Sequence, residues 1–237
     1  MTPGAVQPKR GRDAEVARQA IIDAAKKVFA ENGFDGARVD AIAAESGYNK
    51  SLIFHYFGDK LGLYREIVSL AREQFQTWFG GIWAPIVRND TEPLDASRVR
   101  IFLETFVSWY FNMLVENPLL LRMVAWEAAE GWHTYTWSQR KPEEIEMNRA
   151  IIDFIRRAQQ AGFFDAELDP LMFILNITGL CMYYMTSLPL INQLKDVTGR
   201  PVPDAAQARD QIIKLVLRGA LVPQSVPRKE AEHETQL

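Results

Sequence analysis

The chain of 237 residues sets 27 Lys and Arg against 30 Asp and Glu, a formal charge of −3, with 48% hydrophobic and 24% charged residues. That mixture excludes wholesale disorder and a fibrous design, and the length suffices for one large core or for a small domain beside a larger one. The single cysteine, Cys181, excludes an intramolecular disulfide, and with no Cys-x-x-Cys spacing there is no thiolate zinc site, which fits a reducing cytoplasm.

The N-terminal residues lack the apolar stretch of a signal peptide. Lys9, Arg10 and Arg12 concentrate positive charge there with no acid between Met1 and Arg12. Residues 1–13 therefore read as a flexible basic arm, either reaching DNA or simply keeping the terminus soluble. Whole-chain acidity argues weakly against nucleic acid, but phosphate binding depends on the local patch.

A first helix is expected over about Glu15 to Glu31, with Ile21, Ala25, Val28 and Phe29 on one face and Asn32-Gly33 as a left-handed stop. Val39, Ile42 and Ala43 give a second, short stripe that ends before Gly47. Asn49 can cap a third helix with Ile53 and Phe57 inward and Lys50, Ser51, Phe54 and His55 on other faces. A fourth begins near Asp59 and carries Leu63, Ile67 and Leu70. Two short helices joined through Glu45-Ser46-Gly47-Tyr48-Asn49 form a helix-turn-helix, whose second member enters a major groove.

Further helices are expected over about 95–116, 118–131, 142–161, 169–193 and 204–221, opened by Asn117-Pro118 and Asp169-Pro170 and stopped at Gly162 and Gly199. Pro189 should kink or end the fourth of these. No sustained period-2 alternation occurs, so the fold class is all-α. The stretch Leu171 to Leu194 is free of formal charge and long enough to test as a membrane span. Its Asn176, Thr178, Ser187, Pro189, Asn192 and Gln193 favour a buried helix in an oligomer instead, with no membrane partner.

The string Ala25-Ala-Lys-Lys-Val-Phe-Ala-Glu-Asn-Gly-Phe34, then Ile42-Ala43, then Gly47-Tyr-Asn-Lys-Ser-Leu-Ile-Phe-His-Tyr-Phe57 and Lys60, resembles the TetR-family DNA-binding domain. The resemblance covers about Arg18 to Ile67 and is most specific from Gly47 to Lys60. It implies a homodimer on a palindromic operator in double-stranded DNA, with Lys50, Ser51, His55 and Tyr56 facing DNA and Lys60 gripping phosphate. Asn49 belongs to the same candidate interface. Three positions depart from the family's pattern: Arg38 stands where Thr or Ser commonly caps the second helix, Asp40 where a basic residue is frequent, and Phe54 where Tyr is common. Arg38 can replace a lost phosphate contact, whereas Asp40 repels phosphate unless it faces away or reads a cytosine amine.

Aromatic residues are dense farther along: Trp83, Phe106, Trp109, Tyr110, Trp126, Trp132, Tyr135, Trp137, Phe173, Tyr183 and Tyr184. Such rings serve either as core or as the wall of a small-molecule pocket with a few polar tips. The candidate ligand site comprises Phe106, Trp109, Tyr110, Arg122, Trp126, Phe173, Asn176 and Tyr183, with Glu127 as a further polar anchor. Gly162 to Pro170, Tyr183-Tyr184 and Val197-Thr-Gly199 resemble, more diffusely, the C-terminal domain of RutR-type regulators, which respond to a pyrimidine. That likeness implies a related architecture and leaves the ligand open.

The expected organisation is thus an N-terminal three-helix helix-turn-helix domain (14–64) and a C-terminal helical ligand-binding and dimerisation domain (65–222). The arm (1–13) and a flexible tail (223–237) flank them. The expected function is a transcriptional repressor released from its operator by a small-molecule effector and needing no cofactor, with the co-repressor sign left open. One alternative is a ligand-binding or interaction module with a vestigial helix-turn-helix. Another is a metal-dependent helical enzyme, for which Glu130-x-x-His133 supplies only one half-site; no phosphate loop or nucleophile motif accompanies it.

Overall fold

The computed structural model describes residues 9–88, 93–132, 134, 141–199 and 201–222. Among them the chain is helix after helix, and the sole β feature is an isolated bridge between Phe164 and Leu221.

Helix α1, Lys9–Gly36, buries Ile21, Ile22, Ala25, Val28 and Phe29 on one side. It starts earlier than expected: residues 9–13, the end of the expected arm, are helical, since nothing between Lys9 and Asp13 except Gly11 opposes continuation of the helix. Residues 1–8 lie outside the described residues. Gly33, at φ 68 and ψ 178, breaks the helical geometry where Asn32-Gly33 was expected to stop it.

Helix α2, Val39–Ser46, ends at Gly47, whose left-handed φ of 74 lets its N–H donate to the Ala43 carbonyl. Helix α3, Lys50–Phe57, is capped by Asn49, whose side chain accepts from Leu52 N at 2.9 Å. Helix α4, Lys60–Trp78, opens on Asp59 Oδ1, which accepts from Gly62 N at 2.6 Å. It runs unbroken through the expected domain boundary at residues 64 and 65. Ile21, Ile22, Phe29, Ile42, Ile53, Leu63 and Ile67 close one core over these four helices.

A π-helical turn, Phe79–Trp83, and a short α5, Ala84–Val87, follow. Helix α6, Ala96–Glu116, is capped by Asp95, and α7 is Pro118–Ala129. Helix α8 is Pro142–Gln160. Helix α9, Pro170–Thr186, is capped by Asp169; α10 is Leu188–Thr198; α11, Ala205–Ala220, carries a reciprocal cap between Asp204 and Gln207. The single helix expected over 169–193 is therefore two, divided at Ser187. Pro189 cannot donate a backbone hydrogen bond, so it sits in the first turn of the new helix. No helix among the described residues is long and apolar enough to cross a membrane. The expected tail, 223–237, lies outside the described residues.

Helix α6 is the axis of the larger half, packed against α9 and α11 around Trp83, Phe102, Phe106, Phe154, Ile177 and Cys181. Helix α7 lies against α1, and its Met123 enters the core of the smaller half. Burial of these large side chains, each stabilising by about 1.5–3 kcal/mol, joins the two halves through α4 and α7.

Candidate DNA-binding face and ligand cavity

The turn at Gly47 sets α3 across α2 so that Ile53 is buried while Lys50, Ser51, Phe54 and His55 are exposed on one rod. Tyr56 is half-buried: its ring lies 5.5 Å from His55 and 6.1 Å from Phe57, and it packs against the core. Arg38 precedes α2 in extended conformation, exposed, with no side-chain cap. Asn49 spends its carbonyl oxygen on the helix cap. Backbone N–H groups at the start of α3 add affinity for phosphate.

Two charged positions behave differently from expectation. Asp40 reaches across from α2 to pair with Lys50, Oδ1 to Nζ 2.5 Å, so this carboxylate sits beside the lysine expected to meet phosphate. Lys60 is half-buried and engaged within the chain. Its ammonium donates to the carbonyl oxygens of Phe34 at 2.8 Å and Ala37 at 3.2 Å, with Asp35 O at 3.4 Å, and stands 4.5 Å from the Phe34 ring centre. The end of α1 leaves carbonyls in need of donors, and Lys60 supplies them, acting as a cap in addition to whatever it meets on DNA.

A cavity of about 330 Å³ lies between α4, α6, α7 and α8. Of the eight residues expected to bind ligand, only Trp109 lines it. Phe106 is core and stacks on Tyr110, which is half-buried against that core with its hydroxyl pushed up by burial; Phe173 packs edge-on to Phe164 at 4.8 Å. Arg122, Asn176 and Tyr183 are exposed on the outside, and the Trp126 indole N–H donates to Ala30 O at 3.3 Å across the α1–α7 contact. The expected residues fall on α6 and α7, where only Trp109 faces the cavity, and on α9, which does not line it, while none falls on α4 or α8. Tyr135 and Trp137 lie outside the described residues, as does His133.

The polar wall comes instead from Tyr64 and Arg72 on α4, Glu127 on α7, which was anticipated, and Glu144 on α8. Tyr64 donates its hydroxyl to Glu127 Oε1 at 2.6 Å, while its ring meets Phe29 and Phe34 edge-on at 5.0 and 5.2 Å in the smaller core. Burial and the Glu127 carboxylate push the Tyr64 hydroxyl well above its ordinary range, so it remains a donor. Arg72 Nε lies 3.9 Å from Glu144 Oε2. The signal for this wall was in the sequence: Tyr64, Val68, Ala71, Phe75 and Trp78 recur at helical spacing along α4 beyond the last residue needed by the smaller core.

Comparison with known proteins fits this geometry. A family model described as bacterial regulatory proteins of the tetR family matches residues 21–67, and a tetracyclin repressor-like C-terminal domain matches residues 102–216. The chain is 28% identical over 229 residues to the HTH-type transcriptional regulator RutR of Escherichia coli strain K12, covering 92% of this chain and 98% of RutR. The HTH-type transcriptional repressor AcnR of Corynebacterium glutamicum is 43% identical over 56 residues, covering 24% of this chain and 28% of AcnR. A regulator of Streptomyces coelicolor, SCO4942, shares the fold with a TM-score of 0.62 at 23% identity, covering 87% of this chain and 99% of its own. These relatives are transcriptional regulators, which sets the enzyme alternative aside. The chain belongs to the TetR family of bacterial helix-turn-helix transcriptional regulators.

Proposed function

We propose that this regulator is a cytoplasmic repressor that holds a palindromic operator as a homodimer and leaves it when a small molecule enters the cavity beside α4. The observation that carries this reading is the position of Tyr64, whose ring belongs to the DNA-binding core and whose hydroxyl belongs to the cavity wall. An effector that displaces Glu127 or the hydroxyl acts on α4 directly, and α4 bears on α1 and α3 through Lys60 and Gly62. Coupling of about 1–3 kcal/mol needs only that the ligand bind the released conformation better.

Exposed apolar side chains support the dimer. Leu171, Leu175 and Tyr183 follow one face of α9, with Tyr183 68% exposed, and Leu215 on α11 is 60% exposed. A second copy covering both helices forms a four-helix seam under two-fold symmetry. That symmetry sets two α3 helices about 34–36 Å apart, one turn of DNA. Arg38, Lys50, Ser51, Phe54, His55 and Tyr56 are the proposed contacts, and residues 14–64 and 65–222 the proposed division of labour.

The test is titration of the protein with a palindromic duplex from the DNA flanking its own gene, over a salt series and with candidate metabolites. Sequence preference with affinity that falls steeply with salt supports the reading. Binding without sequence preference favours a vestigial helix-turn-helix, for which Asp40, paired with Lys50, and Phe54 are the supporting features. Unchanged operator affinity with a metabolite bound in the cavity defeats release.

A further inference from the structure

Resting on the reading of α3 as the helix that enters the operator groove, we infer that Phe54 reads sequence: its ring seats against the 5-methyl group of one thymine in each half-site. The exposed arc of α3 carries Lys50, Ser51, Phe54 and His55. At about 100° of turn per residue, Phe54 falls between Lys50 and Ser51, within that arc and not at its edge. It is 45% exposed, and of the four it alone is apolar. The other rings of this half, Phe29, Phe34, Tyr48, Tyr56, Phe57 and Tyr64, belong to or pack against the smaller core. Phe54 thus keeps a ring in water on the face that meets DNA.

The chemistry of the major groove leaves such a ring one favourable partner. Guanine presents N7 and O6, adenine N7 and an amine, cytosine an amine and thymine O4; thymine alone adds an apolar group, the 5-methyl. A phenylalanine neither donates nor accepts a hydrogen bond. Against guanine or cytosine its ring strips water from a polar edge and returns nothing, which selects against G·C at that step. Against thymine the ring and the methyl leave water together. A tyrosine there would add a hydroxyl able to bond phosphate, so its absence leaves an apolar contact as the ring's one contribution.

The neighbouring charges increase the weight of that contact. Lys50 stands one helical turn before Phe54 and is the arc's candidate for reading guanine. Asp40 engages its ammonium at 2.5 Å, so part of its capacity is spent within the protein and discrimination falls more heavily on the ring. The two-fold symmetry of the dimer then places a second such thymine, inverted, in the other half-site.

The test uses a duplex selected from a random pool by repeated binding to the full chain. Uracil then replaces each thymine in turn, in both half-sites together, which deletes a methyl and leaves every hydrogen-bonding group in place. Affinity is measured by fluorescence anisotropy. One position is expected to weaken binding about fourfold per methyl, or about fifteenfold for the symmetric pair, as for one buried carbon at each site. F54A is expected to bind the thymine and uracil duplexes of that position equally, and F54Y to keep the preference for thymine. Because each ratio compares two duplexes on one variant, a general loss of folding does not mimic it. A methyl dependence that survives in F54A, or an F54A loss with no methyl dependence at any thymine, overturns the inference: the methyl then meets another side chain, or the ring packs on sugar. Selection of a palindrome with no uracil-sensitive position overturns it while the operator reading stands. Failure of the pool to yield any preferred sequence overturns both.

Discussion

The Lys60 ammonium lies 2.8 Å from the carbonyl oxygen of Phe34 and 4.5 Å from the centre of its ring, joining the start of α4 to the end of α1. A residue placed to meet phosphate by sequence position thereby caps α1 from a half-buried position. Lys60→Met is expected to destabilise the chain by about 1–3 kcal/mol, since it leaves part-buried carbonyls without their donor. The salt dependence of operator binding should keep its slope, measured by anisotropy over a salt series. A slope reduced by about one per subunit would return Lys60 to the phosphates.

Asp40 and Lys50 predict the opposite behaviour. Both are exposed, so their pair adds little to stability, and its effect is to place a negative charge on the face that meets DNA. Asp40→Asn should tighten DNA binding by about three- to tenfold at low salt, with a steeper salt slope. Loss of affinity with retained folding would instead assign Asp40 to base reading.

Gly62 lies where the first turn of α4 passes the end of α3. A Cβ there would stand 1.9 Å from the Phe57 carbonyl oxygen, a backbone atom that cannot move aside. Gly62→Ala should therefore cost about 1–3 kcal/mol through overpacking, seen as a lower denaturant midpoint, and weaken operator binding by tilting α3. A variant with unchanged midpoint would mean that the junction is looser than its geometry.

Tyr64→Phe keeps the ring among Phe29 and Phe34 and removes only the hydroxyl bound to Glu127. Stability should fall by about 1–2 kcal/mol, and operator affinity should change even without effector, because α4 loses one tie to α7. Intact stability together with unaltered release by effector would remove Tyr64 from the coupling.

Cys181 is buried in the larger core, and burial pushes its thiol up from 9.0 to about 12. The folded state thus holds the proton more firmly than the unfolded one. This contribution to stability is complete below pH 9 and is lost as pH rises toward 12. Thiol labelling at neutral pH should be slow in native protein and rapid in denaturant, and Cys181→Ser should flatten the alkaline limb of the stability curve. Fast native labelling would show that the core around α9 opens readily.

Local chemistry alone determined the helices and their ends. Apolar spacing, the caps at Asn49, Asp59, Asp95, Asp169 and Asp204, and the stops at Gly33 and Gly47 all act within a turn or two of chain, so they are legible residue by residue. The family likeness of residues 18–67 is legible for the same reason, since α2, the turn and α3 are contiguous. What only the tertiary structure decided is which side chains face one another across helices. Lys60 meets carbonyls 23 to 26 residues away, Asp40 meets Lys50, and the cavity takes its wall from four helices spread over residues 64–148. Periodicity marks Phe106, Trp109, Tyr110, Trp126 and Phe173 alike as buried-type residues. Only the rotation and crossing of α6, α7 and α9 separates Trp109, in the cavity wall, from the others, in packed core or at a helix contact. A helix face is a local property, but a cavity is the space left where several faces fail to meet, and that depends on contacts distant in sequence.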